Sequence, residues 1–149
     1  MVKTRILPGA EEFRFDAGPI GVLLVHGFTG CPASMRPMGE WLAERGISSV
    51  GPRLAGHGTS WNDLETTTWQ DWEREAEDGL SDLAGRCGDV IVVGLSMGGA
   101  LALHLAAKHA ERLFCQRQHV RPRLFALAFR IVQSERRRRQ IRVDRARAQ

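Results

Sequence analysis

The chain is poor in the residues that would place it in several common classes. Three cysteines in 149 residues, Cys31, Cys87 and Cys115, are odd in number and widely spaced. That pattern excludes a disulfide framework and gives no zinc-site spacing, so a reducing, cytoplasmic setting is expected. No apolar run approaches the roughly 20 residues of a membrane-spanning helix, so no membrane span is expected. The N-terminus MVKTRILPGAEEF lacks the apolar stretch of a signal peptide. No internal repeat is found. The chain is 43% hydrophobic and 26% charged, as expected of a globular protein with a packed core.

Glycine and negative charge are both missing from the last quarter. All 16 glycines precede residue 113. Residues 1–112 hold 10 Lys+Arg and 15 Asp+Glu, a balance of −5, whereas residues 113–149 hold 11 and 2, a balance of +9. Together these make the net +4 of the whole chain. Two compositions therefore share one sequence. The expected division is a folded domain over 1–112 and a divergent, partly disordered Arg-rich tail over 113–149.

Residues 1–112 read as alternating strands and helices. PIGVLLVHG (19–27) is a short apolar run bounded by Pro and Gly, a buried strand. CPASMRPMGEWLAERG follows as a helix with Met38, Trp41, Leu42 and Arg45 on one stripe, stopped by Gly46. ISSVGPRL is a second strand broken by Pro52, and residues 54–68 read as loop. TWQDWEREAEDGLSDLAGRCG is an acidic helix with Trp69, Trp72, Ala76, Leu80 and Leu83 on one face. Val90–Val93 is a third, wholly apolar strand, and Met97–His109 a third helix. This alternation implies an α/β fold, a parallel sheet with helices on both faces. Sites in such sheets form at the C-terminal ends of strands. HGFTG and GLSMGG lie at two such ends.

In GLSMGG a serine sits between glycines where a strand meets a helix. A sharp turn there strains the central residue and pushes its side chain outward, and it needs small neighbours, which Gly94 and Gly98 supply. Ser96 Oγ would then stand at a helix start, among unpaired N–H groups able to hold an oxyanion. HGFTG adds a second donor. Gly27 and Gly30 allow the loop to fold back, so that the N–H of Phe28 meets the same oxygen as the N–H of Met97. His26 reads as a brace bonded to nearby backbone, not as the general base.

Taken together, LLVHGFTG, PRLAGHGTS, TTTWQDW and VVGLSMGGALAL resemble the bacterial carboxylesterase and monoacylglycerol-lipase branch of the α/β-hydrolase fold. The resemblance runs over about residues 5–112, with four motifs in the family's order. It implies hydrolysis of short- to medium-chain carboxylic esters or monoacylglycerols through an acyl-enzyme. Ser96 would be the nucleophile and Phe28 and Met97 the oxyanion donors, with no metal and no organic cofactor. In this fold the acid and the histidine follow the serine in the chain. Only 53 residues follow Ser96 (149 − 96), and the resemblance fades after Arg112. The triad acid and His are therefore unassigned, and the expectation is a fold truncated after the elbow helix and impaired in catalysis.

The remaining histidines are poor substitutes for the missing base. His104 lies about 12 Å along the third helix from its start, and His109 farther still. His119 has only Glu135 and Asp144 beyond it as acids. His57, in GHGTS, approaches from the N-terminal side and reads as an ordinary loop histidine. In the tail, LFALAFRIV (124–132) is apolar enough for a helix or strand, and ERRRRQIRVDRARAQ is a charge block. No aromatic interleaves the arginines, which leaves base stacking without a platform, so nucleic acid is not expected as a partner. A frame change in a GC-rich gene accounts for a lysine-free, Arg-rich segment better than a binding arm does. Two other readings stand beside the hydrolase: a non-catalytic remnant or ligand-binding module of the same fold, and a basic-tailed nucleic-acid binder. Loss of later strands would expose a sheet edge, through which oligomers or aggregates are expected.

Overall fold

A computed structural model describes residues 5–109. The expected boundary at residue 112, the Arg-rich tail, His119, Glu135, Asp144 and the apolar run 124–132 all lie outside the described residues.

The elements follow in the order β1 (Phe13–Phe15), β2 (Ile20–Val25), a 3₁₀ turn (Pro32–Ser34), α1 (Arg36–Ala43), β3 (Ile47–Gly51), α2 (Trp61–Glu65), α3 (Trp69–Ala84), β4 (Asp89–Gly94) and α4 (Met97–Lys108). The four strands form one sheet in the order β1-β3-β2-β4. β2 pairs in parallel with β3, from Ile20↔Ile47 to Leu23↔Val50, and with β4, from Ile20↔Asp89 to Val25↔Gly94. All three parallel strands therefore end on the same side, where the loops that follow them gather.

The expected parallel sheet is corrected in one respect. β1 runs antiparallel to β3, with Phe13 opposite Gly51 and Phe15 opposite Ser49. A three-residue strand carries too little alternation to be read alone; its partner defines it. A second correction lies in the segment expected to be loop, which contains α2. Ser60 opens that helix in a capping box with Asp63, each side chain accepting from the other residue's backbone N–H. The first helix is also shorter than its stripe suggested, because its start is the 3₁₀ turn. It ends as expected before Gly46, whose φ of 71° suits glycine.

The sheet separates two cores. Val22 and Leu24 face α1 and pack with Phe13, Met35 and Leu42. Leu23 and Val25 point the other way and pack with Val50, Ala76, Leu80, Leu83, Leu101 and Leu105 beneath α3 and α4. This is the period-two alternation of a strand buried on both faces. Each such leucine contributes about 1.5–3 kcal/mol of burial. On α3 the buried face is Ala76, Gly79, Leu80 and Leu83. Trp69, expected on that face, is instead half exposed and meets the His104 ring edge-on. Gly79 is small by necessity, since a Cβ there would press on Leu23 and Val50. β4 has no second strand neighbour among the described residues, and Ile91 and Val93 on it are only partly buried.

Candidate active site

The turn between β4 and α4 is sharp, with strand and helix joined through two residues, Leu95 and Ser96. Ser96 has φ 55° and ψ −117°, a conformation that non-glycine residues rarely hold, and its side chain is exposed. Holding it costs about 1–3 kcal/mol. The surroundings impose it. A Cβ on Gly94 would collide with the carbonyl of Gly98, and a Cβ on Gly98 would collide with the carbonyls of Val25 and His26. Strand, turn and helix can approach this closely only without side chains at those two positions. The turn is also stitched to β2, since Leu95 N–H donates to the Val25 carbonyl at 3.0 Å.

The HGFTG loop lies directly against this turn. A Cβ built on Gly27 would sit 3.1 Å from the Leu95 oxygen and 3.5 Å from the Ser96 Cβ. The loop closes on itself through Gly30 N–H to the Gly27 carbonyl at 3.1 Å, with Thr29 in the left-handed region at φ 59°. Among the described residues, no backbone carbonyl takes the N–H of Phe28 or of Met97. Both N–H groups belong to residues next to this contact, Phe28 following Gly27 and Met97 following the exposed Ser96. The Phe28 and Leu95 side chains beside it are exposed, at 49% and 43%.

His26 is completely buried under the loop. Its Nε2 accepts the Leu54 N–H at 3.2 Å, so its Nδ1 carries the proton and donates to the Gly27 carbonyl at 2.9 Å. The ring thus joins the loop after β2 to the loop after β3. Burial is the main force pushing it down to a pKa of about 4; the Gly27 bond opposes the shift, and nearby His57 and Arg53 add to it. It is neutral at neutral pH.

The other described histidines bond to groups other than the serine. His57 is buried, with Nδ1–H donating to the Ala55 carbonyl at 3.0 Å, and burial lowers its pKa. His104 contacts Glu73 at 2.9 Å and His109 contacts Glu77 at 2.7 Å, across the α3–α4 contact. Lys108 bonds both glutamates at 2.9 Å and is the main cause holding their carboxyls below the ordinary range. Among the described residues no group of three His, Cys, Asp or Glu side chains is placed to hold a metal ion, and no helix is long and apolar enough to cross a membrane. Trp72, read from sequence only as a core residue, contributes polar contacts as well. Its Nε1–H is shared between the Ala55 carbonyl at 3.1 Å and Thr67 Oγ1 at 3.0 Å. An indole in an apolar stripe carries no sequence signal for that role.

Known proteins match this arrangement. Over 106 residues the chain is 52% identical to a thermostable monoacylglycerol lipase of Bacillus sp. (strain H-257), covering 71% of this chain and 42% of that protein. It is 39% identical over 96 residues to a carboxylesterase of Bacillus subtilis (strain 168), covering 64% of this chain and 39% of that one. The chain thus spans well under half the length of these curated relatives. Among solved structures it is similar to one from the metagenome-derived lipolytic enzymes LipS and LipT, with a TM-score of 0.71 and 41% identity, covering 73% of this chain and 44% of that one. The match to the alpha/beta hydrolase family extends over residues 22–148. With most of its length inside that match, the chain belongs to the alpha/beta hydrolase family.

Proposed function

We propose that the described residues carry the nucleophile and oxyanion half of a serine carboxylic ester hydrolase. One observation carries this reading: an exposed Ser96 at a positive φ, facing Gly27 at the start of a helix. In the proposed reaction Ser96 Oγ attacks the ester carbonyl. The N–H groups of Phe28 and Met97 hold the developing oxyanion. Collapse expels the alcohol and leaves acyl-Ser96, which water then hydrolyses to the free acid. His26 and Gly27 shape the donor loop, and Gly94 and Gly98 shape the turn. Short- or medium-chain esters or monoacylglycerols are the proposed substrates, supported by the names of the relatives and by the apolar Phe28 and Leu95 beside the serine. No metal or organic cofactor enters this scheme.

The attack needs a base. Among the described residues no histidine is in hydrogen-bond contact with Ser96, so the proposed imidazole for Ser96 comes from outside them. Turnover by this chain is accordingly proposed to be weak, several orders of magnitude below that of a complete triad. The same observation favours a second reading, a module that keeps the ester pocket without turnover. Hydrolysis of p-nitrophenyl butyrate by the chain and by Ser96→Ala separates the two. A slow rate lost in the variant supports the hydrolase, and equal rates support the module. Self-association along the outer edge of β4 belongs to the same proposal, and size-exclusion chromatography tests it.

A further inference from the structure

One buried polar group has no role in the scheme above. His57 is 1% exposed, and its Nε2 is buried without a hydrogen-bond partner. With Nδ1–H donating to the Ala55 carbonyl, Nε2 is left as an unpaired acceptor, which is costly in an interior. A leucine or phenylalanine would fill this space without that cost. The imidazole supplies a flat ring to its neighbours and adds a hydrogen bond that fixes the ring's plane at one edge.

That ring stands among three others. His26 lies 5.0 Å away, Trp72 5.3 Å and Phe28 5.8 Å between centroids, all edge-on. Phe28 also packs on Trp72 at 5.7 Å. Trp72 is itself anchored at both Ala55 and Thr67, so the Ala55 carbonyl receives His57 and Trp72 together. Phe28 has few other restraints. It is half exposed, precedes Thr29 at a positive φ, and follows Gly27, whose carbonyl takes both the Gly30 N–H and the His26 ring.

We infer that His57 and Trp72 are positioning residues that hold Phe28, and with it the backbone N–H aimed at the oxyanion, in place beside Ser96. The inference rests on the hydrolase reading for its catalytic consequence, but its geometric core does not. Edge-on ring contacts fix both distance and angle. His26 and Gly30 hold the loop at Gly27, and the ring contacts of Phe28 restrain the peptide unit that follows. α3, remote in sequence from the loop, thereby sets the geometry of a donor it does not touch.

The test uses the full chain with His57→Ala, His57→Phe and Trp72→Phe. Hydrogen–deuterium exchange at the Gly30 N–H, which closes the loop on the Gly27 carbonyl, reads the restraint without turnover. Acylation of Ser96 by p-nitrophenyl butyrate, followed by intact mass, reads its consequence as a maximal rate and a half-saturating ester concentration. His57→Ala is expected to speed exchange at Gly30, whose N–H donates to the Gly27 carbonyl, and to slow maximal acylation, each by about tenfold, with half-saturation unchanged. His57→Phe, which restores a ring, is expected to recover both to within about threefold. Unchanged exchange and acylation in His57→Ala would overturn the inference, as would a loss spread evenly over the whole protein. If His57→Ala does not fold, Trp72→Phe decides: it keeps a ring and removes both indole bonds, and no change in either readout overturns the proposal. If the parent chain forms no acyl-Ser96, the hydrolase reading fails. Exchange at Gly30 then decides the positioning by itself, a rise in His57→Ala supporting it and no rise overturning it.

Discussion

The Nε2 of His26 accepts the backbone N–H of Leu54 at 3.2 Å, joining the loop after β2 to the loop after β3 through a fully buried ring. Only a neutral imidazole can make that bond, because protonation at Nε2 removes the acceptor.

A pH dependence follows from that bond. His26 titrates at about 4 in the fold against 6.5 ordinarily. Between these values the unfolded chain binds the proton and the folded chain does not, so stability rises with pH across the window. The contribution is fully present above about pH 6.5 and is lost progressively as pH falls, the loss reaching about 3 kcal/mol once pH is below about 4. Urea unfolding at pH 7.5, 6 and 5 is expected to show the decline. His26→Gln should be less stable at pH 7.5 and should flatten the profile between pH 6.5 and 5. An equally steep profile in the variant would remove His26 as its source.

The sharp turn at Ser96 was legible in the sequence because its glycines leave a pattern that sterics dictate. Gly94 and Gly98 each abut carbonyls that no side chain could face. The parallel strands were legible for a similar reason, since burial on both faces makes β2 almost continuously apolar. β1 was not, because Phe13 and Phe15 become a strand only when β3 lies beside them. α2 was missed although Ser60 and Asp63 stand at capping-box spacing; the surrounding Gly, His and Thr drew the reading toward loop. The burial of His57 and the two bonds of Trp72 depend on where Ala55 and Thr67 come to rest, which no local pattern encodes.

Strain at Ser96 gives a second expectation. Ser96→Gly removes the Cβ that makes φ 55° unfavourable. It should raise stability by about 1 kcal/mol while abolishing any acylation. Gain of stability with loss of function separates stored strain from simple damage. A destabilised Ser96→Gly in urea unfolding would show that the conformation is not strained.

Gly98→Ala tests the close approach of α4 to β2. Its methyl would meet the carbonyls of Val25 and His26, which belong to the sheet and its first loop and cannot easily move aside. A loss of about 1–3 kcal/mol is expected, at the upper end if the sheet resists. Gly99→Ala is the control, because a Cβ there has its nearest contact at 3.5 Å and should change stability little. Equal effects at the two positions would contradict the packing described.

The most direct test of the central claim is the site of covalent attachment. The full chain is incubated with p-nitrophenyl butyrate or a fluorophosphonate, digested with trypsin and examined by mass spectrometry. The account predicts a single adduct, formed slowly, on Ser96 within the peptide spanning residues 87–108, and absent from Ser96→Ala. An adduct on another residue, or one that persists unchanged in Ser96→Ala, would contradict the assignment of Ser96 as nucleophile.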